Sequence, residues 1–339
     1  MKYDSRNRLP CQDPQTAEAL SDKGRNGKER PWRAYKVANE YLAMAYDSLS
    51  SHKADRLRGC CRTLTFARSQ SGEQKLVHAD SCRVRLCPLC AWRRSLKNYW
   101  TTTKIVNWLS AHEQDPSVGR YSYLFVTLTV RNCKGPDLST TIDTLFAAVK
   151  RLYQRKEIKA SWKGMVRNME VTHNVDYDSK DFDTFHPHFH CIVAVRPSYF
   201  SHGYISHERL VELWRDCLGV DYDPVVDIRR IRGRCGDRTT AGALAECSKY
   251  AAKAADYILL DDWDLTCDTV KLLDAALDGR RLINYGGIFR EVKALLKLDD
   301  CEDGDLVKVG MDETSLGPDA QLVTFMWYSG YRQYYKRSQ

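Results

Sequence analysis

His186-Pro-His188-Phe-His190 is the segment of the chain most suited to chemistry. In a strand, residues two apart share a face, so His188 and His190 project together and Phe189 projects oppositely. His186 stands at the strand entry before Pro187, free to join them or to turn away. Glu170 sits in a second alternating stretch, GMVRNMEVTH at 164–173, on the face opposite Met169 and Val171. If these strands are neighbours, Glu170 reaches the histidines. Two imidazoles and a carboxylate leave coordination positions open, which suits a divalent ion such as Mn²⁺ or Mg²⁺ polarising a phosphate. Further along, Glu246, Tyr250, Lys253 and Tyr257 follow at steps of four, three and four, one stripe if 239–260 is a long helix. A tyrosine beside an activated phosphate points to nucleophilic attack on DNA. Glu246 is then a candidate base for the phenol or for water, and Lys253 a candidate counter-charge.

A second constellation is Cys82-x4-Cys87-x2-Cys90, set among Arg83, Arg85, Arg93, Arg94 and Lys97. Two thiolates separated by two residues chelate tetrahedral Zn²⁺, and Cys60 or Cys61 on the preceding hairpin is the source of a fourth ligand. With all four positions filled, the zinc is structural. The arginines would project from a rigid knuckle toward phosphates. Arg229, Arg230, Arg232, Arg234 and Arg238 form another basic run, and Trp92 or Tyr257 are candidates for stacking bases.

The elements that must position these groups are readable in outline. A helix is predicted from Trp32 to about Leu49, a hairpin over 57–80 turning at Ser71-Gly72, and a helix from Trp92 to about Leu109. The stretch YSYLFVTLTV at 121–130 is the clearest strand. A helix over 138–160, strands over 164–173 and 188–195, a helix over 206–218 and a strand over 225–232 follow. This ordering predicts an α+β fold, an antiparallel sheet with helices on one face. Of the 339 residues, 43% are hydrophobic and 28% charged, a globular composition. No apolar run is long enough for a membrane helix, and the first residues lack a signal-like apolar core, so a cytoplasmic protein is expected. The net charge of +8 is uneven: residues 1–104 hold 21 Lys/Arg against 10 Asp/Glu, the remainder 31 against 34. A basic first third suggests a polyanionic partner. Thirteen cysteines, an odd number, argue against a disulfide scaffold.

Taken together, the motifs carry a resemblance. His188-Phe-His190 matches the histidine–hydrophobe–histidine motif of HUH endonucleases, and FVTLTV at 125–130 resembles their first motif. GCCRTLTF, SCRVRLCPLCAWRRSLK and ECSKYAAKAADYI closely resemble the rolling-circle replication initiators of Gram-positive plasmids, in the branch pairing a Glu with a single catalytic Tyr. The resemblance spans roughly residues 30–260. It implies an HUH-type antiparallel sheet and His188, His190 and Glu170 as metal ligands. It implies that Tyr250 forms a 5′-phosphotyrosine and frees a 3′-OH, and that Glu246 directs water at the terminating cleavage. The family's knuckle thiol corresponds to Cys60. It also implies single-stranded or hairpin origin DNA as substrate, a host helicase and single-strand-binding protein as partners, and a bacterial cytoplasm as location. Competing readings are an HUH transposase or conjugative relaxase, and a non-catalytic zinc-finger regulator. The domain expectation is an arm over 1–30, a helical and zinc-knuckle module over 31–110, a catalytic domain over 111–265 and a C-terminal extension over 266–339.

Overall fold

The computed structural model describes residues 17–24, 27–231, 238–249, 251–310, 316 and 319–337. The chain runs α1 (Trp32–Tyr46), α2 (Ser51–Gly59), β1 (Thr63–Arg68), β2 (Gln74–Ala79) and α3 (Pro88–Ala111). It continues through β3 (Ser122–Thr129), α4 (Leu138–Gln154), α5 (Lys156–Ser161), β4 (Trp162–Asn174) and β5 (Thr184–Val195). Then follow α6 (His207–Leu218), β6 (Val226–Ile231), α7 (Arg238–Glu246), α8 (Trp263–Leu277), β7 (Ile283–Gly287) and α9 (Ile288–Leu295), with β8 (Gln321–Tyr328) and β9 (Gln333–Lys336) last. Two compact units result: residues 94–304, and residues 1–93 together with 305–339.

The smaller unit is built on a four-stranded antiparallel sheet of order β2-β1-β8-β9. The aromatic tail therefore supplies two strands rather than an appended extension. Its Phe325, Trp327, Tyr328 and Tyr334 are buried, because a sheet this small has few other large apolar side chains to cover it. Phe66 packs edge-on between Trp32 of α1 and Phe325 of β8. The later part of the expected arm is also engaged. Leu20 N–H donates to the Tyr334 carbonyl at 3.0 Å, and Asp22 accepts from the Trp32 indole at 2.7 Å.

The larger unit holds a five-stranded antiparallel sheet of order β6-β3-β5-β4-β7. The expected neighbours β4 and β5 pair along nearly their whole length, with Glu170 opposite His188 and Asn168 opposite His190. On the other side, β3 places Thr129 opposite His188 and Thr127 opposite His190. A one-residue slip of either pairing would move the carboxylate to the wrong face. At the far end of β4 the β7 backbone comes very close. A Cβ on Gly287 would lie 2.2 Å from the Lys163 carbonyl oxygen, so only glycine fits there.

Helices cover both faces of this sheet, not one. The face of Phe189 packs against α4, where Phe146 meets Phe189 at 5.4 Å between ring centroids. The histidine face is covered at its other end by a cluster that joins Val166, Ile192 and Ala194 to Ile105 and Leu109 of α3, Leu244 of α7 and Phe289 of α9. Beyond the apolar cluster, that same face carries His188 and His190.

Two predicted helices are shorter than expected. The 138–160 helix breaks at Arg155 into α4 and α5. The 239–260 helix ends at Glu246 because the following carbonyls are drawn elsewhere. Cys247 O accepts from Asn98, Lys249 O from the Asn168 side-chain amide at 2.7 Å, and Ala251 O from the Val171 N–H at 2.7 Å. In a continued helix those carbonyls would bond to N–H groups four residues on.

An acidic turn between α9 and the end of the unit closes on Asp300. Burial resists ionisation of its carboxyl, but Arg281 and the N–H groups of Glu302 and Asp303 hold it well below the usual carboxylate range. A depressed carboxyl contributes stability above its unfolded pKa of about 3.9, and loses it as pH falls through the folded value. Asp300→Asn is expected to cost about 1 kcal/mol or less at neutral pH, since the pair is partly solvated. Urea melts at stepped pH should show that gap closing below about pH 4. A gap that widens in acid would contradict the assignment.

Candidate active site

Three ligand atoms converge on the histidine face. His190 Nε2 lies 3.1 Å from Glu170 Oε2 and 3.2 Å from His188 Nε2, and His188 Nε2 lies 3.6 Å from the same carboxylate oxygen. All three residues are buried. His188 Nδ1 is 2.9 Å from the His186 carbonyl, which can only accept, so this nitrogen carries the proton and Nε2 offers its lone pair inward. His190 Nδ1 is 3.3 Å from Thr127 Oγ1, and its ring stacks on Phe125 with centroids 5.5 Å apart. Burial opposes a charge on Glu170. Hydrogen bonds and charge from His188 and His190 more than offset this, holding its carboxyl well below the usual range. Two imidazole nitrogens and a carboxylate oxygen in one buried cluster are a donor set that fits a divalent ion.

His186 shares the face, its ring 5.0 Å from that of His188, but stands outside this ligand group. Burial, then the neighbouring His188, pushes its imidazole down to about 4, so it is neutral near pH 7.

Two predicted partners do arrive, although no long helix delivers them. Glu246, at the end of α7, has Oε1 3.8 Å from His190 Nε2. Lys253, on the loop after it, has Nζ 3.4 Å from Glu170 Oε1. Lys249 was not foreseen, and it forms an ion pair with Glu246. The 246/249 spacing was the available signal. Asn168 was also missed, although its neighbour Glu170 was singled out. Tyr250 lies outside the described residues, but its neighbours Lys249 and Ala251 are both hydrogen-bonded to β4. Tyr257 is fully buried, so neither base stacking nor a second nucleophile is open to it.

In the smaller unit the thiols of Cys60, Cys82, Cys87 and Cys90 form one buried group. Sulfur–sulfur separations are 3.5 Å for Cys60–Cys87, 3.6 Å for Cys60–Cys90 and 3.8 Å for Cys82–Cys90. Four sulfurs at about 2.3 Å from a tetrahedral centre would sit about 3.8 Å apart. The thiols therefore already stand where such an ion needs them. Asn39 donates to Cys87 Sγ at 3.3 Å. The buried Lys36 side chain donates to the Cys60 carbonyl at 2.7 Å, beside the four thiols. Burial, then the Cys60 thiol, pushes the Cys87 thiol well up, so ionisation of this group calls for a cation.

A family described as replication protein matches residues 73–335. The chain belongs to this family. It is 37% identical over 340 residues to a protein named "Protein rep" from Bacillus amyloliquefaciens, covering 93% of this chain and 96% of that one. A "Protein rep" from Streptococcus pneumoniae serotype 2 is 35% identical over 324 residues, with 94% and 96% covered. Another from Bacillus sp is 39% identical over 300 residues, with 81% and 93% covered. No solved structure gives a significant match.

The basic residues expected to face DNA separate into two groups in this replication protein. Arg83 is exposed and Arg85 half-buried on the knuckle. Arg229 is exposed and paired with Asp227 at 2.8 Å, and Arg230 lies 4.0 Å over the Phe200 ring. Arg93, Arg94 and Lys97 are buried instead. Arg93 donates to the Leu306 carbonyl at 2.8 Å and lies near the Trp32 and Trp92 rings. Lys97 pairs with Asp299. The charges of Arg93 and Lys97 are engaged within the fold rather than facing a phosphate backbone. Trp92 is buried edge-on against Trp32 at 4.7 Å, which removes it as a base platform. Arg232 and Arg234 lie outside the described residues, as does the side chain of Arg238. No helix among the described residues is long and apolar enough to cross a membrane.

Proposed function

We propose that the chain initiates rolling-circle plasmid replication as an HUH-type nickase acting on single-stranded or hairpin origin DNA. The observation that carries this reading is the buried His188–His190–Glu170 cluster with Glu246 and Lys253 at its edge, in a chain related to replication proteins. His188 Nε2, His190 Nε2 and Glu170 would hold Mn²⁺ or Mg²⁺. When bound, such an ion makes the scissile phosphorus more electrophilic. The Tyr250 oxygen, having lost its proton to water, bonds to that phosphorus as the bond to the 3′ oxygen breaks; the 3′ oxygen takes up a proton, and a 5′-phosphotyrosine and a 3′-OH result. A phenol has a pKa of about 10 and needs a nearby positive charge or base. Lys253 and Lys249 supply charge at this edge, and Glu246 supplies a carboxylate. At termination Glu246 takes the proton of the attacking water, the phosphotyrosine bond breaks, and the strand is released.

In the smaller unit Cys60, Cys82, Cys87 and Cys90 would hold a structural zinc, with Arg83 and Arg85 on the DNA side. A host helicase would unwind the duplex ahead of the primed 3′-OH, and a single-strand-binding protein would coat the displaced strand.

The direct test is incubation with single-stranded origin oligonucleotides and Mn²⁺, read for a covalent adduct on a denaturing gel. No adduct with any plasmid-derived strand would overturn the nickase reading. Glu246→Ala is expected to nick and accumulate the adduct, with hydrolytic release slowed about 10²–10⁴-fold. Release at the wild-type rate would remove the water-activating role.

A further inference from the structure

We infer that the groove beside Glu246 is a slot for one unstacked nucleobase, adjacent to the scissile phosphate; this rests on the nicking reaction proposed above. The groove encloses about 440 Å³, within the range of roughly 300–1,000 Å³ for small-molecule sites. Phe125 and Ile231 line it from the sheet, and Gly242 and Ala243 from α7. Glu246 also lines it, which joins the groove to the metal-ligand group, since Glu246 Oε1 is 3.8 Å from His190 Nε2. Arg229, another lining residue, is 75% exposed and brings positive charge partly balanced by Asp227.

The chemistry of the walls selects a base over a phosphate. An aromatic ring, an isoleucine, an alanine and a glycine offer flat apolar surface, beside Arg229 and Arg230 and the Glu246 carboxylate, whose charge opposes a phosphate. Phe125 is braced on one side by its stack on His190. A ring held in that way loses little freedom when a base lands on it.

Gly242 supplies the strongest argument. It sits inside α7, where glycine weakens a helix relative to alanine. Its backbone is not in the left-handed region, and a Cβ added there would meet nothing within 4 Å among the described residues. Neither backbone conformation nor packing calls for glycine. The space it leaves is the groove.

The test is fluorescence anisotropy with labelled oligonucleotides of about 12 nucleotides, a length within single-strand binding-site sizes. The probes are oligo-dT, oligo-dA and oligo-dC, and a fully abasic strand of equal length, with no divalent ion added. Gly242→Leu is expected to weaken binding of the base-bearing strands about tenfold, the effect of losing one stacked base, while abasic binding is unchanged. Gly242→Ala is expected to raise the melting temperature and weaken the same probes by a smaller factor. It carries the test if the leucine variant does not melt cooperatively. Base-bearing binding as tight as wild type would overturn the slot, as would an equal loss on the abasic strand. Because no cleavage is involved, this outcome is separate from the adduct assay. An intact base-specific loss with no adduct would leave the slot and refute the nickase.

Discussion

Tyr250→Phe is expected to abolish the covalent protein–DNA adduct and to lower strand cleavage by about 10⁴-fold or more, the scale of losing a covalent nucleophile. The substitution removes one oxygen and keeps the ring, so folding and DNA binding should survive. What fails is bond formation to phosphorus. The described residues Lys249 and Ala251 are tied to Asn168 and Val171, two residues before and one after Glu170 on β4. Glu246 and Lys253 flank the same stretch and both reach the cluster. An adduct of undiminished yield with the phenylalanine variant would sink the assignment. The Glu246→Ala variant gives the complementary result, since it should keep the adduct and lose its resolution. A protein in which both variants behave alike would not use separate groups for attack and release.

The convergence of His188, His190 and Glu170 could be read from the chain because strand geometry is simple. A period of two fixes His188 and His190 on one face, and the alternation around Glu170 fixes its face equally well. Only the pairing of β4 with β5 had to be assumed, and the structure has it. Glu246 and Lys253 both stand beside the cluster, but not on the single long helix that the pattern predicts. The run from Ala241 to Ala255 is rich in helix formers, so local propensity favours one long helix. The partners that end it, Asn98, Asn168 and Val171, lie 80 to 150 residues earlier in the chain and leave no mark on the local pattern. The same blindness affected Arg93 and Lys97. A basic run next to a knuckle looks like a phosphate contact until its acceptors are known. Those acceptors, Leu306 O and Asp299, are about 200 residues away. The aromatic tail likewise had no assigned place until β8 paired with β1.

Cys60→Ser is expected to strip the zinc and unfold the knuckle, whereas Cys61→Ser should keep one zinc per chain and a near-wild-type melt. The adjacent thiols cannot be told apart by spacing, and the backbone separates them. Cys61 has φ of 47°, a left-handed conformation at the corner between α2 and β1. Its N–H donates to the Asp80 carbonyl and its carbonyl accepts from Tyr334 at 2.7 Å, so the residue is used through its backbone. Cys60 sends its sulfur to within 3.5–3.6 Å of Cys87 and Cys90, and the Cys82 N–H points at it from 3.5 Å. Cys61 Sγ is 4.0 Å from Cys60 Sγ and is not one of the four clustered thiols. A structural zinc contributes about 10–16 kcal/mol to a small zinc-dependent fold, more than the whole stability of an ordinary domain. Without Cys60, one coordination position is lost, and the remaining thiols, whose ionisation burial opposes, would have to ionise beside one another around an incompletely coordinated ion. Metal analysis of freshly purified variants, with zinc release followed by a chromogenic chelator, reads the outcome directly. A Cys60→Ser protein that retains stoichiometric zinc would make Cys61 the fourth ligand and require the corner between α2 and β1 to turn over.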